Sequence, residues 1–149
     1  MRINSKDPKI YKFQKYIDKR GYLIPFEYST QKKRVNVLPF KIKRVFFSIG
    51  KKNYFRGDHA HKKCTQLLIC LNGQIEVQTL NLKNKKKTFF LSKKKNNALL
   101  IPTYVWSKIY FKRKNSFLGV LCDYKYDNRN EYINDYNIFK NLIKKNIDD

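Results

Sequence analysis

The chain has 149 residues, 42% hydrophobic and 15% aromatic with 5 Gly and 4 Pro, which suffices for one buried core and is the wrong profile for disorder. Its formal charge of +23 invites a nucleic-acid reading, but the lysines scatter through polar turns, as at 85–87 and 93–95, so no nucleic-acid partner is expected. No stretch approaches the roughly 18 apolar residues of a membrane helix, the three cysteines lack paired spacing, and "MRINSKDPKIYKF" has no signal-peptide core, which predicts one cytoplasmic domain over 1–149 with reduced thiols and no membrane partner.

Alternation with a period of two dominates, in short segments parted by polar turns. "GYLIPFEY" (21–28) and "IKRVFFSI" (42–49) predict strands, the second with Val45, Phe47 and Ile49 on one face. "FRGDHAH" (55–61) predicts the next. "TQLLICLNGQIEVQTL" (65–80) reads as two strands closed into a hairpin by Asn72-Gly73, a pair suited to a type I′ turn, with Gln66, Leu68 and Cys70 facing one way. "KTFFLS" (87–92), "NALLIP" (97–102), "VWSKIYF" (105–111) and "SFLGVLCDY" (116–124) continue the series. Only the tail changes period: Ile138, Phe139, Leu142 and Ile143 recur at helical spacing behind Asp135, a predicted N-cap. Eight or so strands and one short C-terminal helix predict an all-β fold of jelly-roll size.

The two histidines, His59 and His61, are one residue apart. On a strand, residues i and i+2 project from one face, so both imidazoles stand side by side. With an unperturbed pKa of about 6.5, such groups take and return protons near neutrality. The segment H59-A-H61-x4-Q66-x6-G73 resembles the first motif of the cupin superfamily, in which two histidines and a downstream acid hold a metal inside a jelly roll. Here Gln66 takes the acid's place, there is no third histidine, and Glu76 has the parity of a solvent face. A neutral amide is a poor substitute for a carboxylate ligand, so no metal and no cofactor are expected. Metal-free proton transfer beside a carbonyl, as in isomerisation or epimerisation, is the reaction class these residues point to.

From "KRVFFSIGKKNYFRGDHAHKKCTQLLICLNG" through "IPTYVWSKIYF" to "DYKYDNRNEYINDYNIFK", the chain resembles the dTDP-4-oxo-6-deoxyhexose 3,4-ketoisomerases, a WxcM-like group of cupins. The resemblance implies a cupin-type jelly-roll homodimer that moves the keto group of dTDP-4-dehydro-6-deoxy-glucose from C4 to C3. The product would feed the making of 3-amino sugars for surface glycans such as the O-antigen of lipopolysaccharide. By its place in the family's R-G-x-H-A-H pattern, His59 is the first choice for the base at C3. His61 would then move protons between O3 and O4 or orient the sugar, and the exchanged assignment fits the sequence equally.

Arg56 suits the diphosphate, because a guanidinium forks across two phosphate oxygens. Strict alternation turns it away from His59, so the role requires a bulge at Gly57 or a ligand at the barrel rim. Gln66 is expected to bond a sugar hydroxyl or an imidazole, and Tyr54, Tyr22 and Trp106 offer flat faces to the thymine or sugar. Lys62 and Lys63 are expected to attract the anionic nucleotide, Asp123 to cap the pocket, and Tyr132 and Tyr136 to anchor the C-terminal segment. Ser107 stands where the family often shows histidine or arginine, which leaves the product's configuration at C4 open between gluco and galacto. The rival readings are a dTDP-sugar 3,5-epimerase on the same scaffold, a metal-dependent cupin oxygenase, against which Gln66 weighs, and a non-enzymatic nucleic-acid-binding module suggested by charge alone.

Overall fold

The structure, a computed structural model, describes residues 3–31 and 34–148. Among these, the alternating segments become strands, and three short ones join them. In chain order they are β1 (Lys9–Lys12), β2 (Tyr16–Asp18), β3 (Gly21–Leu23), β4 (Arg44–Gly50), β5 (Phe55–His61) and β6 (Gln66–Asn72). Then follow β7 (Gln74–Asn81), β8 (Lys86–Ser92), β9 (Asn97–Ile101), β10 (Val105–Phe111), β11 (Ser116–Cys122) and β12 (Tyr132–Ile133). Helix α1 (Tyr136–Asp148) closes the series. Of "GYLIPFEY" only the first three residues are strand, and Pro25, which has no N–H to give a ladder, lies in the irregular chain beyond.

Two antiparallel five-stranded sheets, in the orders β1-β9-β6-β11-β4 and β12-β5-β10-β7-β8, face one another as a jelly roll. Between them lies a core that includes Leu68, Ile75, Val77, Leu91, Leu99, Phe111 and Leu118, all buried. Cys64, Cys70 and Cys122 join this core as free thiols.

The expected hairpin at Asn72-Gly73 is not one. Strand β6 lies between β9 and β11, whereas β7 lies between β10 and β8, so the turn carries the chain across from one sheet to the other. The cause is visible in β6 itself. Leu68 and Cys70 face the inter-sheet core while Leu67 and Ile69 pack under Leu38 and Phe26 on the far side, and a strand buried on both faces belongs in a sheet's interior. Gly73, at φ 73°, supplies the corner, where a Cβ would lie 2.5 Å from Ser116 Oγ. That hydroxyl accepts from the Gln74 N–H at 3.2 Å and donates to the Arg113 carbonyl at 2.8 Å.

Val45, Phe47 and Ile49 do share a face of β4, but it is the outer one, on the edge strand, and all three are exposed. The opposite face turns Phe46 and Ser48 inward.

Asp135 caps α1 as expected, its Oδ1 accepting from the N–H groups of Asn137 (2.7 Å) and Ile138 (3.3 Å). Phe139 and Ile143 bury against Ala60, Leu80, Leu82, Trp106 and Ile133 on the outer face of the second sheet, behind the histidine strand. Ile138 is 55% exposed, so the apolar stripe is narrower than its sequence spacing predicts. Asn146 is buried because its Oδ1 takes the Ile3 N–H at 2.7 Å.

Phe139 is wholly buried, so Phe139→Ala should cost about 3–5 kcal/mol of stability by lost burial and cavity formation. Denaturant unfolding measures it, and a loss well under about 1 kcal/mol would mean that α1 does not pack as described.

Candidate active site

A cavity of about 400 Å³ opens between the sheets. One wall is made by Phe46 and Ser48 of β4, Gln66 of β6, and Leu118 and Val120 of β11. The other is made by Arg56, Gly57, His59 and His61 of β5, Ser107 and Ile109 of β10, and Tyr132 of β12. Polar side chains from five strands converge there on an apolar lining of Phe46, Ile109, Leu118 and Val120, the arrangement expected of a small-molecule site.

Side by side on β5, the two imidazoles approach with Nε2 atoms 3.2 Å apart and ring planes at 85°. The second nitrogen of His61, Nδ1, lies 2.6 Å from Glu131 Oε2. Glu131 is 1% exposed, and its other oxygen accepts the N–H groups of Cys64 (2.9 Å) and Lys63 (3.3 Å). Burial works to raise the Glu131 carboxyl, yet the hydrogen bonds from His61 and the two backbone amides outweigh it and hold the group below the usual carboxylate range. The carboxylate is therefore ionised and acceptor-only, so His61 Nδ1 carries a proton and donates it to Glu131. In the neutral ring Nε2 is then the bare nitrogen, and it faces His59 Nε2. The result is a hydrogen-bonded line from His59 through His61 to Glu131.

Burial, with the adjacent His61, pushes His59 from 6.5 down to about 4, so it stays uncharged at neutral pH. Tyr132 closes over both rings, with centroids 4.9 Å from His59 and 4.7 Å from His61. It reaches them because β12 pairs with β5 in the register Tyr132–His61 and Ile133–Ala60. The same short strand sets Glu131 beside the turn after β5, where the Lys62 N–H donates to the Glu131 carbonyl at 2.8 Å. Glu131 lies 70 residues from His61 in the chain, and sequence reading passed over it. The signal available was slight: a glutamate followed by Tyr132-Ile133 in "NEYIND". Tyr132, read as an anchor, is also part of the cavity wall.

Of the residues singled out beforehand, His59, His61, Gln66 and Arg56 come together in the cavity, with Ser107 opposite His59 in the β5–β10 register. Arg56 arrives by a bulge: it pairs with Ile109 and His59 with Ser107, which leaves Gly57 and Asp58 to share the one step at Lys108. Gln66 is buried, and its amide also reaches Cys122 Sγ at 3.9 Å.

The others lie elsewhere. Trp106 is a correction: strand parity turns Ser107 and Ile109 into the cavity and therefore Trp106 onto the outer face, where it packs on Tyr136 (5.1 Å) and Phe139 (5.5 Å). Tyr22 sits on the β2–β3 hairpin and Tyr54 is 68% exposed before β5, neither lining the cavity. Lys62 and Lys63 are exposed in the turn after β5, the Lys63 ammonium over the Tyr124 ring. Asp123 ties strands together instead of capping the pocket, its Oδ1 accepting the Thr65 N–H at 2.7 Å. Glu76 is away from the histidines, as its parity predicted, 3.3 Å from Lys112.

The family model described as "FdtA: WxcM-like, C-terminal" matches residues 6–144. A TDP-4-oxo-6-deoxy-alpha-D-glucose-3,4-oxoisomerase of Aneurinibacillus thermoaerophilus is 34% identical over 138 residues, 92% of this chain and 93% of that protein. Among solved structures, the sugar 3,4-ketoisomerase QdtA of Thermoanaerobacterium thermosaccharolyticum, in complex with TDP, superposes with a TM-score of 0.80 at 32% identity, covering 93% of this chain and 95% of that one. WlaRA of Campylobacter jejuni, a TDP-fucose-3,4-ketoisomerase, does so at 0.77 and 31%, covering 95% and 99%.

The lowered titration of His59 has a consequence for stability. Below 6.5 the unfolded chain binds a proton that the folded chain refuses until about 4, so stability should fall as pH drops through that window. His59→Asn should flatten this part of the melting-temperature curve against pH, and an unchanged slope would contradict the assignment.

Proposed function

Since this chain belongs to the family described as FdtA, WxcM-like, C-terminal, we propose that it is a nucleotide-sugar 3,4-ketoisomerase acting on dTDP-4-dehydro-6-deoxy-glucose. The observation that carries the reading is a pair of imidazoles whose Nε2 atoms stand 3.2 Å apart in an inter-sheet cavity, one of them backed by a buried carboxylate. Shifting a ketone by one carbon needs a base, an acid and nothing to carry hydride. The C4 carbonyl acidifies the C3 hydrogen. A base takes it, the electron pair enters the C3–C4 bond, and O4 receives a proton to give the enediol. The O3 proton then leaves as C4 takes a proton, and the carbonyl has moved to C3.

Between the two assignments that the sequence leaves open, the geometry favours His61 as the base. Its Nδ1–H is held by Glu131, which leaves Nε2 free to accept and stabilises the imidazolium formed at that step. His59, kept uncharged, is suited to passing protons between O4 and O3. This exchanges the roles first expected of the pair, and the cause is a carboxylate distant in the chain. Arg56, at the cavity wall, takes the diphosphate; Gln66 and Ser107 are within the wall to meet sugar hydroxyls. Ser107 offers one small hydroxyl beside the imidazoles, so the face on which C4 is reprotonated, and hence the gluco or galacto outcome, falls to the histidines and the sugar's seating.

We further propose a homodimer working in the cytoplasm, whose 3-keto product is aminated for surface glycans such as O-antigen. Support for a dimer comes from the exposed apolar stripe Val45, Phe47 and Ile49 on an edge strand and from Ile17 and Leu23, exposed on the β2–β3 hairpin. Sedimentation should give twice the 18.0 kDa chain mass, and a monomer at micromolar concentration would contradict it.

Incubation with dTDP-4-dehydro-6-deoxy-glucose in heavy water, followed by NMR, should show the carbonyl at C3. A carbonyl remaining at C4 with deuterium at C5 would mark a 3,5-epimerase instead. His61→Asn should lower kcat by about 10²–10⁴ and abolish exchange at C3, the loss typical of a missing general base. Glu131→Gln, which keeps a neutral acceptor, should cost about 10- to 100-fold. Full activity in either variant would contradict the assignment.

A further inference from the structure

Arg56 reaches the cavity only because β5 does not alternate strictly. Between Arg56, opposite Ile109, and His59, opposite Ser107, the strand carries one residue more than β10 does. Both residues of the bulge are left-handed, Gly57 at φ 79° and Asp58 at φ 65°. At Gly57 only glycine fits, since a Cβ there would lie 2.8 Å from the Ser107 carbonyl oxygen. Asp58 has a Cβ, and an L-residue with a side chain persists in that region where its surroundings hold it.

What holds it is on the other side of the sheet. Asp58 points away from the cavity, its Oδ1 accepting the Trp106 indole N–H at 3.1 Å and its Oδ2 lying 3.7 Å from the Lys108 ammonium. Neither partner is free to wander. Trp106 is 7% exposed and wedged against Tyr136 and Phe139 of α1, and the Lys108 ammonium sits 3.9 Å over the Phe55 ring. The Asp58 carboxylate is thus fastened to the helix-covered face of the second sheet, and the backbone that carries it aims Arg56 to the opposite face.

We propose that Asp58 is a positioning residue: tied to Trp106 and Lys108 behind the sheet, it locks the bulge and thereby keeps Arg56 in the cavity as the diphosphate clamp. The inference rests on the reading of Arg56 given above and adds what puts it there. It also gives Trp106 a function the sequence did not indicate, since the indole serves the site through its N–H from outside the cavity.

Steady-state kinetics with dTDP-4-dehydro-6-deoxy-glucose test this in five variants. Asp58→Ala removes the tether and Asp58→Gly removes it without backbone strain, so the second guards against a folding defect in the first. Both should raise KM about ten-fold with kcat within about three-fold, the pattern of lost binding rather than lost chemistry. Asp58→Asn should restore KM to within about two-fold, because an amide oxygen still accepts the indole N–H and asparagine tolerates positive φ. Arg56→Ala sets the scale, and Asp58→Gly combined with Arg56→Ala should be no worse than Arg56→Ala alone. A folded Asp58→Gly with the wild-type KM, while Arg56→Ala raises it, overturns the inference. So does a variant that loses kcat and melting temperature together at unchanged KM, which is what a merely structural residue would do. A wild-type KM in Arg56→Ala overturns the diphosphate reading beneath it.

Discussion

A carboxylate buried to 1% exposure has to be paired, and Glu131 is paired on both oxygens: one with His61, the other with the backbone of Lys63 and Cys64. That single requirement organises the histidine end of the molecule. It pins the turn after β5, it draws β12 onto the edge of the second sheet, and it decides which nitrogen of His61 carries the proton. Because His61 stands 3.2 Å from His59 through their Nε2 atoms, the acid supplied by the far end of the chain fixes one end of the line that both imidazoles share. The chemistry proposed above needs nothing more elaborate than a base with a fixed tautomer beside a neutral proton carrier.

The rest of the fold supplies rigidity on both sides of that line. On the inner side, Leu118, Val120 and Ile109 give the cavity apolar surface beside the imidazoles. On the outer side, α1 packs Phe139 and Ile143 behind Ala60, the residue between the histidines. The bulge at Gly57–Asp58 then changes the parity of β5 once, so that one strand presents a guanidinium and two imidazoles to the same space. The outward apolar stripe on β4 is the part of the design that the isolated chain leaves unused.

Local signals made much of this legible. Period-two alternation located every long strand, Asp135 marked the helix, and the i, i+2 rule set His59 and His61 on one face with Gln66 across from them. Signals that depend on register or on distant sequence were not legible. Asn72-Gly73 has hairpin chemistry, yet β6 is apolar on both faces, and two-sided burial outweighed the local turn preference. Trp106 belonged to a correctly predicted strand, but which face of β10 lines the cavity is set by its partners β5 and β7. Glu131 and Tyr132 enter through a strand two residues long, too short to carry any periodicity. The family resemblance carried by the sequence is the one the comparisons bear out.

Nitrogen NMR of the labelled imidazoles reads directly the protonation pattern that Glu131 imposes. At neutral pH His61 should be protonated at Nδ1 and bare at Nε2, with His59 neutral beside it. A proton on His61 Nε2 with Nδ1 bare, or a charged His59, would contradict it.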